Sequence, residues 1–397
     1  MPNPFTQPIT TLGETLGRGV RVQFGIYQSD RLFHMFVLGQ TGTGKSTLLK
    51  TMMLQDLQAG RGFCLIDPHG DMAEEIAELL GENAIYWNAP DPDCPFGYNP
   101  LTYVAEAYRP LVASGIIEAL KKQWSDAWGV RMEHLLRFAV LALLSRRGSS
   151  FADIVSMFTD KAFRRTVLQS VTDPEVLKFW NDEFSKMNYK NAFDGVAPIA
   201  NKLGAFLSHP VVKKAICAPE NPIRLRSVMD SGQPLIINLS KGRLGNDISG
   251  VLGGLILSMM AGAALSRENL PQYERRPFTV YVDEFGSFTT GVVAGMLSEL
   301  RKYRVGLILA AQYLSGIKTS TLDAIFGNVG SLIVFRVGAQ DAPVLSRQLG
   351  QIDPSDLINL PNYRSFTKLM VGGVQTKAFS AKTLKPVADR DTPQHHQ

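Results

Sequence analysis

The sequence predicts an α/β protein in which a central, mostly parallel sheet is interrupted by an all-helical domain. Short apolar runs such as residues 33–38 and 305–311 are typical of strands buried on both faces. A glycine-rich turn separates the first run from a helical pattern, and helical periodicity then dominates a long central block. The predicted parts are a lead-in (1–29), the α/β domain (30–88 and 232–385), the all-helical insertion (89–231) and a flexible tail (386–397).

The composition is that of a globular chain with a mild excess of positive charge. Its 397 residues are enough for two or more domains, each with its own core. A net charge of +5 is compatible with a nucleic-acid partner, and equally with an ordinary surface carrying a small excess of lysine. The three cysteines, Cys64, Cys94 and Cys217, lack metal-ligand spacing and fit a reducing compartment.

The glycine-rich turn matches the loop that binds the phosphates of nucleoside triphosphates. It lies between a predicted strand at 33–38 and a predicted helix at 46–57, so that backbone N–H groups and the helix N-terminus can surround phosphate. In such loops the lysine reaches the β- and γ-phosphates, and the serine hydroxyl holds Mg²⁺. The predicted nucleotide-binding residues are Gly39, Gln40, Thr41, Gly42, Thr43, Gly44, Lys45, Ser46 and Thr47.

A later apolar run ends in two acids, which a phosphate-loop hydrolase also needs. Residues 278–282 precede Asp283, expected to hold Mg²⁺ through water, and Glu284, expected to polarise the attacking water as general base. The strand predicted at 305–311 ends at Gln312, whose amide is suited to sensing the γ-phosphate. A loop glutamine with its hydrogen bonds satisfied gives the same pattern.

The strand predicted at 62–66 ends in the acidic turn Asp67-Pro68-His69-Gly70-Asp71. An acid at the carboxyl end of a strand next to the phosphate loop lies where such sheets bind ligands. The alternative is a simple turn in which Asp71 caps a helix beginning at Met72. His69 alone indicates little.

Two further features concern packing. The aromatic residues of the helical block are expected in its core, with a partner surface as the alternative. Residues 248–265 are uncharged, at the lower limit of length for a membrane span, but their glycines and their place between two strands favour a buried crossover helix. The aromatic residues in question are Trp124, Trp128, Phe179 and Trp180.

Taken in order, these motifs resemble those of the FtsK/HerA superfamily of RecA-like motors. Within it, the chain looks most like the TraG/TraD/VirD4-type conjugative coupling ATPases of type IV secretion, over roughly residues 30–385. The motifs of the superfamily are residues 39–46, Asp67-Pro68-His69-Gly70-Asp71, Val282-Asp283-Glu284-Phe285, Leu300-Arg301-Lys302-Tyr303 and Ala311-Gln312. Those of the coupling ATPases are Gly327-Asn328-Val329-Gly330 and Phe335-Arg336-Val337-Gly338-Ala339-Gln340-Asp341-Ala342.

The resemblance implies a ring hexamer that hydrolyses ATP, with Mg²⁺, to pump DNA through a central channel. Each nucleotide would lie at a subunit junction and be completed by an arginine from the neighbour. Arg301, at the end of a helix predicted at 292–302, matches that position, with Arg304 and Arg336 as alternatives. Lys241 and Arg243, on a loop after a predicted strand, are candidate DNA contacts, although a solvated surface loop gives the same pattern.

Membrane coupling proteins of this type usually begin with transmembrane helices, and none precedes the motor here. We therefore expect no transmembrane segment in the chain itself and a cytoplasmic location. A membrane anchor, or a component of the relaxosome or secretion apparatus, is the implied partner, and it would place the motor peripherally at the inner membrane.

Other classes of nucleotide-binding protein fit less well. A GTPase needs Asn-Lys-x-Asp, whereas Asn201-Lys202-Leu203-Gly204 lacks the aspartate. An ABC-type ATPase needs Leu-Ser-Gly-Gly-Gln, of which Leu314-Ser315-Gly316 is only a fragment. The open alternative is a secretion ATPase that moves protein; a non-enzymatic scaffold is disfavoured by the intact lysine and acids.

Overall fold

The computed structural model describes residues 9–16, 21–102, 104–187, 189–288 and 291–384. The predicted tail at 386–397 lies outside these residues. The chain divides into two compact units that we describe separately. The first, the sheet unit, contains Met1–Ile85, Ser227–Ile237 and Arg267–Gln397; the second, the helical unit, contains Tyr86–Arg226 and Asn238–Ser266.

The strands are short, and those at the centre of the sheet are buried throughout. They are β1 (Ile9–Thr15), β2 (Gln23–Tyr27), β3 (Met35–Leu38), β4 (Gly62–Asp67), β5 (Ile85–Asn88), β6 (Phe96–Gly97), β7 (Asn221–Pro222), β8 (Leu235–Asn238), β9 (Phe278–Val282), β10 (Val305–Ala311), β11 (Ser331–Val334), β12 (Arg364–Lys368), β13 (Met370–Val371), β14 (Val374–Gln375) and β15 (Phe379–Thr383).

The helices vary from single turns to five turns. They are α1 (Gln28–Arg31), α2 (Lys45–Gln58), α3 (Asp71–Leu80), α4 (Arg109–Gln123), α5 (Val130–Leu144), α6 (Asp153–Thr159), α7 (Lys161–Leu168), α8 (Pro174–Lys178), α9 (Tyr189–Leu207), α10 (Pro210–Cys217), α11 (Leu225–Ser231), α12 (Lys241–Leu244), α13 (Asn246–Leu265), α14 (Val292–Glu299), α15 (Thr319–Asn328), α16 (Ala342–Gln348) and α17 (Pro354–Ile358).

One large sheet has the strand order β2-β1-β15-β12-β11-β3-β10-β9-β4-β8-β5. The central strands β11, β3, β10, β9 and β4 are parallel to one another. They are also wholly buried, which explains why they appear in the sequence as apolar runs without alternation. The predicted α/β fold with a mostly parallel central sheet is confirmed.

One side of the sheet is antiparallel and was not predicted. β1, within the segment predicted as a lead-in, pairs with β15 near the other end of the described chain, and β2 forms the edge. β2 (Gln23–Tyr27) lies in the same predicted lead-in. These strands are only half buried, so the apolar signal is weak and their pairing depends on contacts distant in sequence.

The helical unit has a core of its own. α13 packs mainly on α4, where the Ser258 hydroxyl donates to the Gly115 carbonyl at 3.3 Å. Asp173 caps the start of α8, because its carboxylate accepts from the N–H groups of Glu175 and Val176. Phe179 and Trp180 are buried, as expected of core aromatics, and Trp124 is nearly so, whereas Trp128 is only half-buried.

The helix predicted at 248–265 corresponds to α13. By length and composition, residues 246–269 are apolar enough to cross a membrane, and they are the one such helix in the described part of the chain. However, 78% of the most apolar stretch is buried inside the protein. α13 was expected to pack against a sheet. Its main partner is instead α4, a helix of the same unit.

A buried ion-pair network joins the helix after the phosphate loop to the strand before the two acids. The guanidinium of Arg31 donates to both carboxylate oxygens of Asp56 on α2, at 2.5 and 2.6 Å. The hydroxyl of Tyr281 on β9 donates to Asp56 at 2.6 Å, and Arg61 donates to it at 2.7 Å. Arg31 and Asp56 are 1% and 0% exposed, so each depends on the other for its charge to be tolerated.

We expect Asp56→Asn to lower the free energy of unfolding by about 3–5 kcal/mol, because it leaves the buried guanidinium of Arg31 without its counter-charge. Denaturant titration measures this loss. The control is Glu75→Gln, which removes an exposed pair with Lys50 and is expected to cost less than about 1 kcal/mol. Equal losses in the two variants would contradict the importance of the network.

Candidate active site

Four neighbouring parallel strands end at one edge of the sheet, and the loops that follow them form a cleft. The phosphate loop follows β3, Gln312 follows β10, the two acids follow β9, and Asp67 ends β4. Because β10 lies between β3 and β9, Gln312 lies between the phosphate loop and the acids. The cleft has a volume of about 160 Å³ and is lined by Thr41, Gly42, Gly44, Lys45, Ser46, Thr47, His69, Asp283, Glu284, Gln312 and Tyr363.

Two glycines of the phosphate loop have no room for a side chain. A Cβ on Gly39 would lie 2.6 Å from the Cβ of Phe335 and 2.8 Å from the Thr43 hydroxyl. Gly44 has φ 120°, and a Cβ there would lie 3.1–3.3 Å from Phe335 and Tyr363. The loop is tied down by the Thr43 hydroxyl, which donates to the Gln40 carbonyl at 2.7 Å. The loop backbone is fixed further by the N–H groups of Gly39 and Gln40, which donate to the carbonyls of Ala311 and Arg336 at 3.2 and 2.8 Å.

Lys45 is the first residue of α2 and is only 7% exposed. Its ammonium group donates to the carbonyls of Gly39 and Gln40, at 2.5 and 3.0 Å. Burial lowers the pKa of Lys45, while the nearby carboxylates of Asp283 and Glu284 act in the opposite direction. The side chain is therefore a desolvated cation inside the loop, which is the arrangement that binds phosphate oxygens strongly.

Asp283 is a buried acid with too little positive charge around it. Burial, and then repulsion from Asp67, raise the pKa of Asp283 to about 6, against the pull of Lys45 and the N–H of Glu284. A divalent cation beside this carboxylate would relieve that cost. Ser46 and Asp283 line the same cleft, so their hydroxyl and carboxylate oxygens fit Mg²⁺.

The described residues contain no group of three or more His, Cys, Asp or Glu arranged to hold a metal ion. Mg²⁺ does not require one, because it is commonly held by one or two protein oxygens, by water and by the phosphates of a nucleotide.

Glu284 has an unusual backbone and closely placed partners. Its φ of 41° lies in the left-handed region, which is uncommon for a residue other than glycine and is frequent at functional sites. The Gln312 amide donates to its carboxylate, and the Nε2 atom of His69 lies 2.6 Å from the same oxygen. Gln312, predicted as a sensor of the γ-phosphate, thus lies in hydrogen-bond contact with Glu284, and His69 is a second neighbour of the same carboxylate.

The contacts of Asp67 hold the backbone of the turn and of the helix that follow it. Its two carboxylate oxygens accept from the N–H groups of His69 at 2.8 Å and Ala73 at 2.9 Å, and it is fully buried. It therefore caps α3 from four residues before the helix begins. The alternative in which Asp71 caps a helix beginning at Met72 is wrong, because Asp71 is the first residue of the helix and Gly70 is at the N-cap position.

Tyr363 was not anticipated from the sequence. Its N–H donates to the Thr43 carbonyl at 2.7 Å, and its ring lies against Gly44, so it forms a wall of the phosphate loop. It is brought there from a turn before β12, far along the chain, and no local motif marks it.

The three candidate arginines lie at opposite ends of the parallel strands. Arg336 is beside its own phosphate loop, where its Nε donates to the Gln40 side chain at 3.2 Å. Arg301 and Arg304 lie in the segment before β10, at the amino ends of the parallel strands. The guanidinium of Arg301 is exposed and stacks 3.4 Å from the ring centre of Phe33, which precedes β3. The helix predicted at 292–302 ends earlier, at Glu299, and a 3₁₀ turn follows.

Lys241 and Arg243 belong to the helical unit. The predicted loop is the short helix α12, on which Arg243 is exposed and Lys241 is half-buried.

Comparison with known proteins assigns the chain to a family. Residues 11–242, more than half of the chain, match the family described as the central domain of helicase HerA. Comparison with curated proteins finds no match.

Solved structures add information about the fold. The plasmid coupling protein TrwB, in complex with a non-hydrolysable ATP analogue, is 17% identical, with a TM-score of 0.69 and 95% coverage of both chains. TrwB with ADP and Mg²⁺ is 19% identical, with the same coverage and a TM-score of 0.68. VirB4 of Thermoanaerobacter pseudethanolicus is 14% identical, covers 96% of this chain and 97% of its own, and has a TM-score of 0.61.

At such low identities these likenesses establish the fold, which is the RecA-like α/β fold of TrwB. Together with the family match, they confirm the resemblance to RecA-like motors of the FtsK/HerA superfamily that the motifs indicated. The chain belongs to the family of the HerA helicase central domain.

Proposed function

We propose that this protein is an ATPase that uses hydrolysis to move DNA, as a ring hexamer of the conjugative coupling-protein type. The observation that carries the proposal is the convergence of Lys45, Asp283, Glu284 and Gln312 on one cleft beside the phosphate loop. A cation, a buried acid, a second acid and an amide are the groups that triphosphate hydrolysis requires.

In the proposed site, residues 39–47 hold the phosphates, and Ser46 and Asp283 would hold Mg²⁺, which neutralises phosphate charge when it is bound. The chemistry of these residues supports that assignment, because burial, and then repulsion from Asp67, raise the pKa of Asp283, and a cation beside the carboxylate would offset both effects. TrwB, which shares this fold, has been solved with ADP and Mg²⁺.

The proposed reaction is direct attack of water on the γ-phosphorus of ATP. Glu284 accepts a proton from the water, the new P–O bond forms, and the bond to the β,γ-bridging oxygen breaks, releasing ADP and inorganic phosphate. Lys45 neutralises charge on the β- and γ-phosphates. Gln312, hydrogen-bonded to Glu284, is placed to link the presence of the γ-phosphate to the position of the base.

DNA is the proposed cargo because the family is that of a helicase domain and the fold is that of a plasmid coupling protein. Lys241 and Arg243 are the proposed DNA contacts, supported by their charge and by the exposure of Arg243. The likeness to VirB4 supports the second candidate, a type IV secretion ATPase that energises protein movement. Such motors would work in the cytoplasm, at the inner membrane through an anchor or a relaxosome or secretion partner.

Arg301 is the proposed trans-acting arginine of the ring. Its own phosphate loop is at the opposite end of the strands: β10 has seven residues, which span about 20 Å. It can therefore reach a nucleotide only on another subunit, whereas Arg336 is next to its own loop.

Hydrolysis is tested with two substitutions. Glu284→Gln is expected to lower kcat by about 10²-fold or more while ATP still binds, because the shape is kept and the base is lost. Lys45→Ala is expected to abolish hydrolysis through loss of the cation in the loop. ATP turnover and the binding of a fluorescent ATP analogue are measured in parallel; a Glu284→Gln variant with the wild-type rate would remove Glu284 as the base.

DNA as cargo is tested by ATPase rates with and without DNA. We expect stimulation by DNA of any sequence, with an affinity that falls steeply as salt rises, since the phosphate backbone is the contact. Lys241→Ala/Arg243→Ala is expected to weaken DNA binding and leave the basal ATPase rate unchanged. Equal rates with and without DNA at low salt would favour the protein-moving alternative.

The role of Arg301 is tested by mixing subunits. Arg301→Ala rings are expected to bind ATP but to lose about 10³-fold or more in rate, as for other trans-acting arginines. Mixing them with Lys45→Ala subunits is expected to restore activity, because some junctions then pair an intact loop with an intact arginine. Arg304→Ala is the control; the absence of rescue in verified mixed rings would exclude Arg301.

A further inference from the structure

His69 lies where it can control the position of the general base. It follows β4, whereas Glu284 follows β9 and Gln312 follows β10. Since β9 lies between β4 and β10, the carboxylate of Glu284 has a polar side chain on each side. His69 Nε2, at 2.6 Å, and the Gln312 amide meet at the same carboxylate oxygen.

The backbone that carries His69 is held firmly. Its N–H donates to Asp67 at 2.8 Å, and the other oxygen of Asp67 accepts from Ala73 in the first turn of α3. Asp67 is fully buried, and Gly70 adopts φ 97° to let the chain turn into the helix. The imidazole therefore extends into the cleft from a rigid base.

The backbone of Glu284 is held as well, because its N–H donates to Asp283 at 2.9 Å and its carbonyl accepts from the N–H of Ser287 at 2.8 Å. Glu284 follows the end of β9, and its left-handed backbone is not one that a glutamate adopts by preference. A general base must be held within hydrogen-bond reach of the water it activates, and a misplacement of about 1 Å can cost about 10²-fold in rate. Donors from both flanking strands would supply that restraint.

We propose that His69 is a positioning residue that holds the Glu284 carboxylate in the orientation required to activate water. This inference rests on the proposed ATPase function and adds to it a residue outside the phosphate loop and the acidic strand. The His69 side chain is 42% exposed, and exposed contacts of this kind contribute little to stability, so turnover is a better measure of its role than the free energy of unfolding.

The experiment compares three substitutions at pH 8. His69→Ala and His69→Phe remove the donor, and His69→Gln keeps an N–H donor at a similar distance from the backbone. We expect the first two to lower kcat by about tenfold or more with KM for ATP changed by less than about twofold. His69→Gln is expected to recover most of the loss. In a Glu284→Gln background, His69→Ala is expected to cause no further loss in single-turnover rate.

His134→Ala is the matched control, because His134 makes a similar contact with Glu183, at 2.9 Å, on the helical unit. It is expected to leave kcat unchanged. Wild-type kcat in His69→Ala, a rise in kcat, or a His69→Gln variant no better than His69→Phe would each overturn the proposal. If the wild type does not hydrolyse ATP, the proposed function fails; if it does and only His69→Ala is silent, the positioning role alone fails.

Discussion

The position of β10 between β3 and β9 is the constraint on which the active site depends. In a parallel sheet all strands end at one edge, so strand order alone decides which side chains become neighbours. With β10 in this place, Gln312 separates the phosphate loop from the acids and makes contact with Glu284. The same strand begins just after Arg301, so the sheet also places this arginine at the edge away from its own phosphate loop.

Buried charge in the sheet unit is neutralised by a direct partner outside the active site, but not within it. Arg31 and Asp56 are buried but bound to each other on both oxygens, and this pair joins α2 to β9 through Tyr281. At the site, Asp283 is buried without such a partner, and its pKa rises accordingly. The charges of Arg31 and Asp56 thus neutralise each other, while the site keeps a buried acid with which a cation can interact.

Sequence patterns were sufficient wherever a motif is contiguous. The phosphate loop, the two acids and Gln312 each follow an apolar run. These runs were recognisable as strands because a strand buried on both faces does not alternate apolar with polar residues. The pairing of β1 with β15 was not predictable, because it joins the two ends of the described chain through half-buried strands. His69 and Tyr363 were missed for a related reason: each acts on a residue far away in sequence, Glu284 and Thr43 respectively, and only the folded sheet brings them together.

The proposed movement of DNA by ATP hydrolysis can be measured as displacement of streptavidin from the end of a biotinylated duplex. Verified rings are mixed with the duplex, and displacement is followed over time with ATP and with a non-hydrolysable analogue. We expect displacement with ATP alone, and none from Glu284→Gln rings that still bind nucleotide and DNA. Rings that hydrolyse ATP and bind the duplex, yet leave streptavidin in place at either end, would contradict it.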